Sequence, residues 1–134
     1  ILAMVIACKK ENKESRMDII TSGNWKMTAH TVAPAYDYDG DGDLDTDIFS
    51  LMDVCEKDNS FLFKRNGSLE INEGATKCDQ TDPQIYLIDW EFQNDEKEIL
   101  ILWEEFKIDE LTTSRMKLRQ EFNGASETLT FSKQ

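Results

Sequence analysis

Apolar and polar positions alternate along most of the chain beyond residue 60, the period-two pattern of strands with one buried face. "SFLFK" and "SLEIN" flank "RNG", and Asn-Gly accepts the positive φ that a tight hairpin requires. A loop "EGATKCDQTDP" follows. Then come "QIYLIDWEF", the turn "NDEK", "EILILW", "FKIDELT", the turn "TS", "RMKLRQEF", the turn "NGAS" and "ETLTFSK". The break between "EILILWEE" and "FKIDELT" is the least sharply marked of these.

The first half is less regular. Met17–Ser22 reads as one helical turn, broken by Gly23. Asn24–Val32 reads as a strand, with Trp25, Met27 and Ala29 on one face and Lys26, Thr28 and His30 on the other. Pro34 is expected to end it, because proline has no N–H to give a ladder. Ile48, Leu51, Met52 and Cys55 then fall at i, i+3, i+4 and i+7, the helical period. Asp45, Thr46 and Asp47 stand where caps and dipole-complementing acids belong, so a short helix is expected at about 47–55.

Eight strands result, joined after the first crossing by short turns. No long helix intervenes to carry a parallel crossover, so neighbours pair antiparallel. A meander of eight can close into a barrel and so lose its edges. A sandwich is the alternative. The expected fill is Trp25, Met27, Phe61, Phe63, Leu69, Ile71, Ile88, Trp90, Phe92, Ile99, Ile101, Ile108, Met116, Leu118, Leu129 and Phe131.

Composition sets the class. The chain has 134 residues, 40% hydrophobic and 31% charged, which suits one globular domain. Its net charge is −12, and the stretch "DYDGDGDLDTD" at 37–47 carries six aspartates with no lysine or arginine. Such a surface repels nucleic acid and anionic membranes and suits divalent cations or basic partners.

The three cysteines are Cys8, Cys55 and Cys78. "ILAMVIAC" is an apolar run ending in small residues before a cysteine. It is too short for a membrane span, which needs roughly 20 apolar residues. It resembles the bacterial lipobox, as though the sequence began inside a signal peptide. That resemblance implies residues 1–7 as a leader remnant, a lipid anchor on Cys8, and a cell-envelope location at the outer membrane. The charged "KKENKE" suits a solvated tether over 8–17. In an exported chain Cys55 and Cys78 can form a disulfide, worth roughly 3 kcal/mol by loop closure. Two free thiols are the alternative. CxxC spacing is absent and His30 is the lone histidine, so no structural zinc site is expected.

Several of these features coincide in one family. "SGNWKM" carries Gly23-x-Trp25 at the start of the first strand, similar to the lipocalin first-strand motif. Residues 18–134 resemble the small lipocalin-like domains of bacterial lipoproteins: the "GxW" strand, the acidic insert at 37–47, Cys55, Asn66-Gly67, Cys78, and Trp90-Glu91-Phe92 in order. The resemblance implies an all-β, eight-stranded antiparallel up-and-down barrel with one short helix after the first strand. It also implies a basic residue near the last strand that caps the tryptophan, with Arg115 and Arg119 as candidates.

The acidic run matches a calcium loop over nine positions. Asp37, Asp39 and Asp41 fall at positions 1, 3 and 5, Gly42 at the sharp turn, Asp43 at 7 and Asp45 at 9. Position 12 is Ile48, with Asp47 one residue early. Asp79 or Asp82, brought close by a Cys55–Cys78 bond, are candidates to complete the shell. Calcium would then be a structural cofactor. A solvated acidic loop is the alternative reading.

Catalysis finds few candidates. No GxSxG, GxGxxG or P-loop occurs, and the acids fall mostly in turns. Asp89 and Glu91 alternate with apolar residues and are expected to face water. The chain is therefore expected to be a non-enzymatic monomer that binds a small apolar ligand. Trp25, Met27, Phe63, Trp90 and Trp103 are the candidates to line its lumen. The alternative is a filled barrel that acts through its surface.

Overall fold

A computed structural model of the chain describes residues 14–134. A leader at 1–7, the anchor at Cys8 and most of the tether lie outside the described residues. Helix α1 spans Arg16–Thr21. Strand β1 spans Trp25–Tyr36 and a three-residue strand β2 spans Asp45–Asp47. A 3-10 turn at Phe49–Leu51 and helix α2 at Val54–Lys57 follow. Then come β3 Ser60–Phe63, β4 Ser68–Asn72, β5 Ile85–Gln93, β6 Glu98–Ile101, β7 Glu104–Leu111, β8 Arg115–Phe122 and β9 Ala125–Lys133.

Turn chemistry sets the meander. Asn123 (φ 46°) and Gly124 (φ 78°) close β8–β9, as a two-residue turn with both centres left-handed requires. Each strand from β3 to β9 pairs antiparallel with the next. Strand β9 then pairs with β1 from Trp25↔Lys133 to Ala33↔Ser126, which closes the barrel. Eight strands form the wall, as the resemblance implies.

Strand β1 divides one edge between two partners. Its start pairs with β3 through Trp25↔Phe61 and Lys26↔Ser60, while its far half pairs with β2 through Thr31↔Asp47 and Tyr36↔Asp45. Two expectations change here. Pro34 does not end the strand, which runs on to Tyr36. The proline lies past the last β9 pair and between the two β2 pairs, so its missing N–H interrupts no ladder. The helix expected over 47–55 resolves into β2, the 3-10 turn and α2. Residues 45–47 find a strand partner in β1, and Met52 is extended (ψ 145°). Asp53 restarts the helix, its N–H donating to Glu56 Oε2 at 3.0 Å.

All of the expected fill joins one core, together with Ile20 and Phe106 and with Met17, Ile19 and Leu111 against it. A smaller cluster of Val32, Ile48 and Ala125 lies at the far end. Cys55 and Cys78 are bonded, 23 residues apart in sequence. The bond ties α2 to the β4–β5 loop.

Candidate functional site

The barrel has two unlike ends. At the first, α1 packs across the opening on β3 and β7. Trp25 is fully buried there, its Nε1 donating to the Ile20 carbonyl at 2.9 Å. Lys133 Nζ lies 4.0 Å over the Trp25 ring and donates to the Ile19 carbonyl and Ser22 Oγ. Burial holds the Lys133 ammonium below its ordinary pKa. The cation capping the tryptophan is thus Lys133. Arg115 instead pairs with Glu110, and Arg119 with Asp109 and Glu121.

At the second end lie the turn Leu102–Trp103, the turn Asn123–Gly124, the acidic loop and the disulfide. Between the two ends is an apolar cavity of about 140 Å3. Met27, Phe61, Ile88, Ile101, Leu129 and Phe131 contribute to its lining, and Glu104 is its one charged lining residue. Phe63 lines it as well, whereas Trp90 packs edge-on between Phe63 and Phe92. Its size is near that of cavities that accept one benzene-sized molecule.

Register shows which other side chains face this space. Leu69 and Ile71 are buried and line the cavity, and Glu73 continues their alternation beyond β4. Glu73 is only 6% exposed. Its carboxylate has no hydrogen-bond or ion-pair partner among the described residues. Tyr86, opposite Ile71, has its phenol pKa raised by burial and then by the charges of Glu73 and Asp82. Strand β9 places Glu127 on the face of Leu129 and Phe131. By alternation, three glutamates therefore face inward toward the second end: Glu73 just past β4, Glu104 on β7 and Glu127 on β9. Among the described residues, the inward lysine is Lys133, at the first end.

A bulge explains one misplaced residue. The β1–β9 register shifts between Met27 and Ala29, so Met27 opposes Phe131 but His30 opposes Leu129. His30 thereby turns to the inner face, not the solvent face expected from strict alternation. It is bonded to Glu127.

The barrel wall also opens at this end. The β7–β8 ladder begins at Lys107↔Arg119, leaving 104–106 and 120–122 without mutual pairs. A cleft of about 400 Å3 fills the gap, and it shares Glu104 and Phe106 with the cavity. Trp103 borders this cleft at the β6–β7 turn and is 79% exposed, so it does not line the lumen as expected. The chain turns at Leu102 (φ 59°) and lifts the next side chain off the sheet.

In the acidic loop, Asp37, Asp39 and Asp45 bring carboxylate oxygens within 4.8 Å of one another. Asp37 accepts the Gly40 and Gly42 N–H groups, and Asp45 accepts that of Tyr38. The Asp41 amide lowers the Asp39 pKa, but desolvation and the charges of Asp41 and Asp45 outweigh it, leaving Asp39 raised. Asp41 accepts the Asp43 N–H. Asp47 serves a different end, capping the 3-10 turn at the Ser50 N–H. Asp79 is held by Thr81, whose amide and hydroxyl both donate to it, and its pKa is lowered by those bonds. Asp89 and Glu91 face outward, as expected.

No known family and no curated protein matches the chain. Among solved structures it is similar to a lipocalin-like protein from Bacteroides uniformis, with 17% identity and a TM-score of 0.47, over 87% of this chain and 99% of that one. Likeness at this level says nothing of ligand or activity, and the barrel assignment rests on the register described above.

Proposed function

We propose that the chain is a binding module whose barrel lumen takes one small apolar body. The apolar cavity of about 140 Å3 between the packed α1 end and the open end carries this reading. It assigns no catalysis to the chain. Toluene titrated into the folded protein should give saturable NMR shifts at Ile88, Ile101 and Leu129. Ile88→Phe and Ile101→Phe, each of which adds volume to the lining, should abolish them. Absence of saturable shifts, or binding unchanged in both variants, would sink the reading.

A second reading is a filled barrel that acts through its surface. Leu87 (60% exposed) and Trp103 at the open end favour it. It gains if toluene is not taken up.

Two further proposals complete the picture. A lipid anchor at Cys8 would hold the barrel at the outer membrane. It is supported by the apolar run and small residues before that cysteine. Loss of membrane fractionation in Cys8→Ser, with the fold kept, is its test. Calcium would order the loop 37–47, supported by the Asp37, Asp39 and Asp45 carboxylates and by the mutual repulsion that raises Asp39.

A further inference from the structure

We infer that the lumen selects a small organic cation: a ring-sized apolar body bearing one ammonium group, body in the cavity and cation at the open end. The inference rests on the lumen being a binding site, and it adds the charge of the ligand. An apolar cavity alone has no preference between a neutral body and a charged one. The distribution of inward charge supplies that preference.

Glu104 lines both the cavity and the cleft in the barrel wall, so a group leaving one for the other passes it. Glu73 is more than nine-tenths buried on the face that lines the cavity, with its carboxylate unpartnered among the described residues. Its carboxylate oxygens still reach solvent, so Glu73 adds negative charge beside Ile71 without itself lining the cavity. Glu127 is the third inward acid, and His30 satisfies it. The inward lysine, Lys133, lies at the other end and is engaged by Trp25, Ile19 and Ser22. In the cleft, Arg119 is held by Asp109 and Glu121, which leaves Lys107 against Glu98, Glu104 and Glu105. The whole route is therefore negative. An anion entering it meets net negative charge, and a cation meets its complement.

Benzylammonium and benzyl alcohol test this, since they share a ring that suits the cavity and differ in charge. Benzoate completes the set. Affinities read by NMR titration should favour benzylammonium over the alcohol by about tenfold, a modest figure because Glu104 is exposed to water. Benzoate should bind more weakly than either. Glu104→Gln should reduce the preference, and Glu73→Gln with Glu104→Gln should bring amine and alcohol to parity. Raising salt should shrink the preference without changing alcohol binding. If the double variant fails to fold, Glu104→Gln alone and the salt series still decide the matter. Equal affinity of amine and alcohol in the native chain overturns the cation preference while leaving the apolar lumen standing. Failure of all three probes to bind overturns both.

Discussion

The two ends of the barrel hold tryptophans of opposite character. Trp25 starts β1, is fully buried, donates to Ile20 and lies under Lys133. Trp103 tips the β6–β7 turn and is almost bare. At the first end α1, β1 and β9 lock together through side chains to backbone. At the second, the β7–β8 ladder has ended and carboxylates face the opening. One end gives stability, and the other leaves room for chemistry at the expense of wall pairing.

The comparison breaks most sharply by mutation. Trp25→Ala should destabilise the fold by about 3–5 kcal/mol, since it opens a cavity in a site with no slack. Trp103→Ala should change stability by no more than about 0.5 kcal/mol. Urea denaturation measures both. Similar losses at the two positions would erase the distinction between the ends.

Calcium tests the open end next. With an affinity near that of extracellular modules, about 10 mM calcium adds about 1.4 kcal/mol, or roughly 5 °C in Tm. Asp37→Asn should remove that gain. Asp39 has a raised pKa in the folded chain, so its repulsion is present above the folded value and disappears as pH falls below the unfolded one. The calcium increment should accordingly shrink as the buffer enters the carboxylate range. A Tm indifferent to calcium would leave the loop a solvated acidic segment.

The smallest effect sharpens the first end. Lys133 has its pKa lowered below 10.5, so the unfolded chain binds more protons there as pH rises. Its contribution to stability should increase as pH climbs from below the folded pKa to 10.5, then level off. Lys133→Met should flatten that part of the stability–pH curve relative to the native chain. Unaltered slope would mean the ammonium is not desolvated over Trp25.

The residues that sequence reasoning missed fail for local reasons. Phe106 is hard to place from sequence because the β6–β7 turn carries Leu102 and Trp103, apolar residues that hide a turn inside an apolar run. Ile20 sits in a single helical turn, where amphipathic spacing has no room to repeat. Unbroken alternation across Thr28 puts His30 toward solvent, and a one-residue bulge reverses every later face. Lys133 does not announce itself as the cap on Trp25, because a lysine two residues from a strand's last core phenylalanine reads as solvated. The inward glutamates share that difficulty. Glu73 and Glu104 border turns and loops, where charge is ordinarily bound for water.

What the sequence determined by itself is the wall. Period-two alternation and Asn-Gly turns dictate a meander, and sixteen apolar positions fill it. These are local properties, decided by neighbours a few residues apart. The tertiary structure alone decided the rest: that β9 returns to β1, that α1 closes one end, that β7 and β8 part at the other, and that Glu104 stands where the cavity meets the cleft. Those are contacts between residues far apart in the chain. They depend on closure and on the bulge in β1, and no local pattern records how a sheet meets itself.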